Sequence, residues 1–455
     1  MSSHYKALLL LFCALVSCKK IDSSKLFSKM PSSHTGIKFK NLVTETDEFN
    51  ILTYGNIYNG GGVAVGDINN DGLQDLYFTG SMVGSRLYLN KGGFRFEEIA
   101  QKAGVFAEGL WNTGTSMADV NGDGLLDIYV CRSAAKDKEK RRNLLFINNG
   151  DLTFSEKGAE YGLDDFGYST QGNFFDYDRD GDLDVFVLNH SVQPYSSLKN
   201  ASKNLRKKSA PDYADRLYRN DNGKFVDVSQ EAGIMSSVLG FGLSVSVSDI
   251  DDDGWPDIYI SNDFHEHDFL YLNNGDGTFT ERLKDFIGHT SHFSMGSDIS
   301  DINNDGRPDI VTLDMLPEGN FRQKMVSGPD NYDKHQFLVD SDFHHQYMRN
   351  MLHLNQGNSF AEIGQLAGIH ATDWSWAPLF ADFDNDGFKD LFVTNGVKRD
   401  YTNMDFMNFA VQKRLEEMDS GVETAIKDLL ENIPSTIEEN YAYRNKGNLT
   451  FEKST

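Results

Sequence analysis

The chain has 455 residues, with 43 Lys and Arg against 68 Asp and Glu, a net charge of −25. That balance excludes non-specific nucleic-acid binding, which needs a basic footprint to displace counterions. Forty-one Gly, 32 Phe and 12% aromatic residues suit tight turns and packed sheet faces; the length permits two or three domains unless a repeat joins them.

At the N-terminus, Lys6 precedes the apolar run Ala7–Val16, too short to span a bilayer and of the length of a secretory h-region. The run and Ser17-Cys18 resemble a bacterial lipoprotein signal, in which residues 1–17 are removed and Cys18 is lipidated. Residues 18–33 then form the lipidated Cys and a polar tether. An ordinary signal peptide with an unrelated Cys18 is the alternative. The lipoprotein reading places the chain in a bacterial cell envelope, as an outer-membrane lipoprotein facing the outside that meets the membrane only through its lipid. Cys13 is then lost and Cys18 acylated, so Cys131 in IYVCR is a lone core thiol and no disulfide is available.

From residue 34 to 455 a repeat dominates. It opens with half a unit, GIKFKNLVTET from Gly36 followed by NGGGVAVGD from Asn59. Six acidic loops of the form Asp-x-(Asp/Asn)-x-Asp-Gly-x-x-Asp follow. Oxygen side chains at positions 1, 3, 5 and 9, with Gly at 6 for the sharp turn, suit a hard cation such as Ca²⁺. The candidate ligands are Asp67, Asn69, Asp71 and Asp75 in loop 1, and Asp119, Asn121, Asp123 and Asp127 in loop 2. Loop 3 offers Asp176, Asp178, Asp180 and Asp184; loop 4 offers Asp249, Asp251, Asp253 and Asp257. Loop 5 offers Asp301, Asn303, Asp305 and Asp309, and loop 6 Asp382, Asp384, Asp386 and Asp390. The first half matches an EF-hand loop, but the set closes with Asp at 9, and each loop runs into an apolar β-rich segment such as LYFTG or IYISN. These positions hold 21 of the 68 acidic residues, so up to six structural Ca²⁺ would act as the staple that disulfides cannot supply.

Between loops recurs a hairpin, aromatic/apolar-x-Asn-x-Gly-x-x-Phe, as in RLYLNKGGFRF from Arg86 and FLYLNNGDGTF from Phe269. Each unit therefore holds about four short strands, which predicts an all-β propeller of four-stranded blades. The last hairpin, YAYRNKGNLTFEK from Tyr441, has two readings. It completes the first blade of a six-bladed ring, or the chain stops short of a seventh acidic loop in a truncated seven-bladed one; the seven-bladed type is favoured.

Three insertions interrupt the repeat, at about 190–215, 317–350 and 398–439. The first holds the one basic stretch, KNASKNLRKKSAPD, which reads as a solvated loop or an anion site. In the third, Phe406, Ala410, Leu415, Met418, Val422, Ile426, Leu429 and Ile433 recur at helical steps, predicting one or two amphipathic helices ending at Pro434. His265, His267, His289 and His292 cluster in sequence, with His344, His345 and His353 beyond. They are polar rim residues or, alternatively, members of a zinc or catalytic site. Trp111, Trp374 and Trp376 are core aromatics, or else platforms for sugar rings.

The segments NGGGVAVGDINNDGLQDLYFTG, FSMGSDISDINNDGRPDIVTLDMLPE and DWSWAPLFADFDNDGFKDLFVTNG resemble FG-GAP/VCBS repeats, the calcium-loop propeller units also found in integrin α-chains. The match is to the bacterial group related to cartilage acidic protein, in which such a propeller commonly precedes an ASPIC/UnbV domain. The resemblance covers about Gly36 to Thr455 and implies calcium at the matching loop residues, but no reaction. The expectation is an exported, calcium-stabilised binding or display module recognising a protein or glycan at the cell surface. The alternatives are a propeller enzyme acting on polysaccharide, and a fragment supporting domains beyond its C-terminus.

Overall fold

Short β-rich runs separated by Asn-Gly and Asp-Gly turns fold into six antiparallel four-stranded sheets. The computed structural model describes residues 26–109, 111–192, 208, 210–235, 237–328 and 331–454. The expected signal peptide, Cys18 and most of the basic stretch 199–212 lie outside the described residues. Blade 1 is Val63–Gly66, Asp75–Phe78, Arg86–Asn90 and Phe96–Glu98, and the pattern restarts at residues 112, 169, 242, 297 and 375. In each blade the acidic loop joins the first strand to the second, and its last Asp is the first residue of the second strand.

Alternate side chains of each second and third strand face opposite neighbours, so each blade seam is a separate apolar core. Tyr77 and Leu87 meet Ile128 and Phe146 between blades 1 and 2, and Tyr129 and Leu145 meet Val185 and Tyr218 between blades 2 and 3. Similar clusters join blades 3 to 4, 4 to 5 and 5 to 6. Each large buried side chain contributes about 1.5–3 kcal/mol. Near the centre, glycines let the first strands approach one another. A Cβ on Gly114 would stand 2.4 Å from the Thr170 carbonyl oxygen, and one on Gly296 would stand 2.1 Å from that of Trp376.

The seam between blades 6 and 1 is built differently. Of the two readings of the last hairpin, completion of blade 1 fails: Tyr441–Asn445 pairs with Asp390–Asn395 and Phe451–Lys453 with Tyr441–Asn445 inside blade 6, and blade 1 has four strands of its own. Nor does the half unit from Gly36 to Thr46 add a strand. It lies as an extended segment that packs Phe39 on Phe78 (5.4 Å), after Phe27 has met Phe383 (4.8 Å) and Phe392 (5.2 Å) of blade 6. Val63 and Val65 of blade 1 and Leu379 of blade 6 stay more than half exposed.

The insertions occupy 190–215, 313–350 and 396–440, always between the second and third strands. All three therefore emerge on the rim opposite the acidic loops. The second carries α1 (Asn320–Val326) and α2 (Tyr332–Asp340); the third carries α3 (Met404–Ser420) and α4 (Ile426–Asn432). The Asn403 side chain caps α3 by accepting from Asp405 N and Phe406 N, and Gly421 (φ 71°) ends it. The predicted apolar stripe divides in two. Phe406, Leu430 and Ile433 pack with Ile51, Ile57 and Trp111, tying blade 6 to the N-terminal segment and blade 2. Val411, Leu415, Met418 and Val422 remain exposed. Arg322 of α1 locks the second and third insertions together, pairing with Asp373, with Asp400 (2.6 Å) and with Glu438 (3.1 Å). Among the described residues no helix is long and apolar enough to cross a membrane.

Candidate metal centres and the opposite rim

Each acidic loop is shaped by its own backbone before any ion is considered. In every loop but the third the position 1 carboxylate accepts from the N–H groups of positions 5 and 6, as Asp249 does from Asp253 N (3.1 Å) and Gly254 N (2.9 Å), while Asp176 accepts from Gly181 N (3.1 Å). The position 5 carboxylate accepts from the N–H of position 7, as Asp386 does from Phe388 N (2.9 Å). These Asx turns need two left-handed residues. Position 6 is always Gly (φ 83–97°), and position 4 is Asn70, Gly122, Arg179, Asp252, Asn304 or Asn385, all at positive φ.

Position 9 is fully buried in every loop. In loop 4, Asp257 Oδ2 accepts from Ile250 N (2.8 Å) and Oδ1 from Asn273 N (2.8 Å). Burial pushes Asp127 and Asp309 up to about 6 and Asp184 and Asp257 up to about 7, against the pull of those two N–H groups. Asp178 and Asp251 also titrate above the usual carboxylate range, through burial and then through the charge of Asp180 and Asp253. Carboxylates are thus crowded in a partly dry loop without enough positive charge nearby.

Where position 3 is Asp, three carboxylates converge. The triads Asp176–Asp178–Asp184, Asp249–Asp251–Asp257 and Asp382–Asp384–Asp390 each bring ligand oxygens within 4.8 Å of one another and are able to hold a metal ion. Asp176 Oδ1 and Asp251 Oδ1 are buried without a hydrogen-bond partner, the state expected of oxygens set for a cation. The donor set, all oxygen, fits a hard cation. Where position 3 is Asn, its amide instead donates to position 5: Asn69 to Asp71 (3.1 Å), Asn121 to Asp123 (3.0 Å) and Asn303 to Asp305 (3.1 Å). Arg307 also engages Asp305, and Arg444 engages Asp384.

The hairpin Asn has a structural use that the turn motif did not reveal. Asn148, Asn220, Asn273, Asn355 and Asn445 each donate through Nδ2 to the carbonyl at loop position 2 of the preceding blade: Ile68, Val120, Tyr177, Ile250 and Ile302, at 2.8–3.5 Å. Every acidic loop but the sixth is therefore pinned by the following blade. Asn90 of blade 1 reaches only Gln74 O within its own blade (2.8 Å).

This arrangement of loop, strand and blade matches a family model described as an FG-GAP-like repeat, over residues 67–130, 249–312 and 339–393. The chain carries FG-GAP-like repeats. Cartilage acidic protein 1 of Xenopus tropicalis is 27% identical over 216 residues, which make up 46% of this chain and 29% of that protein. The match thus spans under a third of the relative's length. Among solved structures, this chain is similar to an Agrocybe aegerita lectin described for specific recognition of non-reducing terminal N-acetylglucosamine. That likeness has a TM-score of 0.45 and 16% identity, covering 90% of this chain and 83% of the lectin. The V. cholerae biofilm matrix protein Bap1 gives a TM-score of 0.33 at 14% identity, covering 67% and 38%.

The histidines gather on the opposite rim, at the seam of blades 4 and 5. His265 lies 6.3 Å from His292 and His267 5.8 Å from His344, between ring centroids. His289 stands 3.7 Å from Glu362. His353 is buried within its strand, and burial lowers it to about 4. Among the described residues none of these sets brings three ligand atoms together as the Asp triads do. Trp111 and Trp374 are buried in apolar clusters, and Trp376 is half-buried with Nε1 donating to Gly396 O (2.7 Å), so Trp111 and Trp374 are closed to sugar stacking. Cys131 is buried and free, and burial drives its thiol pKa far up.

Proposed function

We propose that the chain is an exported, calcium-stabilised propeller that serves as a binding or display module, recognising a protein or glycan at the cell surface. The observation that carries this reading is the division of labour between the rims. One holds six acidic loops, each shaped by its own backbone and the first five pinned by the following blade. The other holds the insertions, the second and third interlocked through Arg322, with Met407, Val411, Leu415 and Met418 of α3 exposed. A rigid scaffold with variable loops on one face is the usual plan of a recognition surface. Calcium, held by the side chains at loop positions 1, 3, 5 and 9, is structural on this reading. Lipidation of Cys18 on an outer-membrane lipoprotein facing outward supplies the anchor.

The test uses the lipid-free chain from Lys19 with millimolar Ca²⁺, applied to a glycan array and to intact cells. Binding that is lost with Val411→Lys plus Met418→Lys, both exposed positions, supports recognition by the insertion rim. Binding unchanged by that pair but lost on charging the acidic-loop rim overturns it. Release of new reducing ends from polysaccharide would instead favour the enzyme.

A further inference from the structure

We infer that the insertion rim carries a site for a borderline divalent metal, of the Zn²⁺ or Cu²⁺ class, held by His335 and His345. His335 lies on α2 and His345 in the segment that leads from α2 back to blade 5. Their facing nitrogens, His335 Nε2 and His345 Nδ1, stand 3.3 Å apart. Two imidazole nitrogens bound to one tetrahedral ion at about 2.0–2.1 Å stand about 3.3–3.4 Å from each other. Without an ion, one ring must donate a proton to the other; an ion replaces that proton once both rings turn toward a shared point off the nitrogen–nitrogen line.

The surroundings prepare the pair. His335 is stacked at 24° on Tyr347, ring centroids 5.8 Å apart, which fixes the plane of its ring. His345 is exposed and His335 half-buried, so an incoming ion meets open coordination positions. His344 lies 6.0 Å from His345 between centroids. Two imidazole nitrogens and no carboxylate in the pair make a borderline, imidazole-preferring ion the fitting occupant rather than Ca²⁺. The acidic loops, all oxygen, have the reverse preference, so the two rims select different metals.

The experiment titrates Zn²⁺, and separately Cu²⁺, into the full chain kept in millimolar Ca²⁺ so that the acidic loops are occupied. Calorimetry reads stoichiometry, and the visible band of bound Cu²⁺ reads nitrogen ligation. About one equivalent is expected, with nitrogen-type Cu²⁺ absorption. Affinity should fall at least ~10-fold in His335→Gln and in His345→Gln, and the nitrogen band should vanish in the double variant. His34→Gln, in the N-terminal segment, should change neither. Both rings are at the surface, so melting curves of the variants should match the parent. Absence of uptake by the parent, or uptake unchanged in the double variant, overturns the inference.

Discussion

The Asn273→Ala substitution tests the inter-blade staple directly. The Asn273 side chain is buried; its Nδ2 donates to Tyr177 O of blade 3 (2.8 Å) and to Pro256 O (3.2 Å), and its Oδ1 accepts from Gly275 N (2.9 Å). Alanine keeps the backbone bond to Asp257 but loses these three. At about 1 kcal/mol each, with a further 1–2 kcal/mol for leaving the Tyr177 carbonyl buried and unpaired, the loss is about 4–5 kcal/mol. Asn90→Ala is the internal control. Asn90 is half-exposed and makes two such bonds, to Gln74 O and from Gly92 N, with none to another blade, so its loss is about 1–2 kcal/mol. Urea unfolding in saturating Ca²⁺ measures both, read as midpoint shifts with the slope checked for constancy. Equal losses for the two variants, or a loss under 1 kcal/mol for Asn273→Ala, would refute the staple.

His190 is buried with its pKa lowered to about 4 by burial, against an ordinary 6.5. Its neutral ring stabilises the fold above pH 6.5, and that contribution fades as pH falls through 4. The stability advantage of the parent over His190→Gln should therefore shrink by about 3 kcal/mol between pH 7 and pH 4 in denaturation curves; a pH-independent gap would refute this. Arg322→Met removes the cation shared by Asp373, Asp400 and Glu438, of which Asp373 and Asp400 are buried, and should cost about 3–5 kcal/mol locally. Limited proteolysis should then cut first in 313–350 and 396–440; an unchanged digestion pattern counts against the lock. Gly387→Ala meets open space but a φ of 93°, so it should cost about 1–2 kcal/mol and raise the Ca²⁺ concentration needed to restore the melting point after chelation. A melting point indifferent to chelator in the parent would remove calcium from the account.

Much of this architecture was legible because its parts are local. Asp-x-(Asp/Asn)-x-Asp-Gly-x-x-Asp prescribes its own Asx turns, and the apolar run after it prescribes a strand, so four-stranded blades follow from spacing alone. What was not legible was relational. Asn273 reads as a turn residue in LNNGDG, yet its amide is used 96 positions away at Tyr177, a pairing visible only once blades are stacked. Gly36–Thr46 alternates like a strand, but it packs in an extended path beside blade 1 without joining a ladder, and local pattern does not distinguish the two. The stripe on α3 has a single helical period, while its burial is decided by where Trp111 and the N-terminal segment happen to end. The histidines at 335 and 345 are ten residues apart on a helix and a loop, and no spacing rule places them face to face.

The hairpin Asn also bears on how such a chain grows. Each unit from blade 2 onward brings the hook that fastens the loop before it, and offers a carbonyl to whichever unit comes next. A unit copied into the middle of the row would find both connections already specified, with no matching change demanded of its neighbours. Among the described residues the two outermost units differ: Asn90 donates within its own blade, to Gln74 O, and no hairpin Asn donates to the Phe383 carbonyl. Gain or loss of repeats should therefore be tolerated within the row, where each connection is repeated from blade to blade.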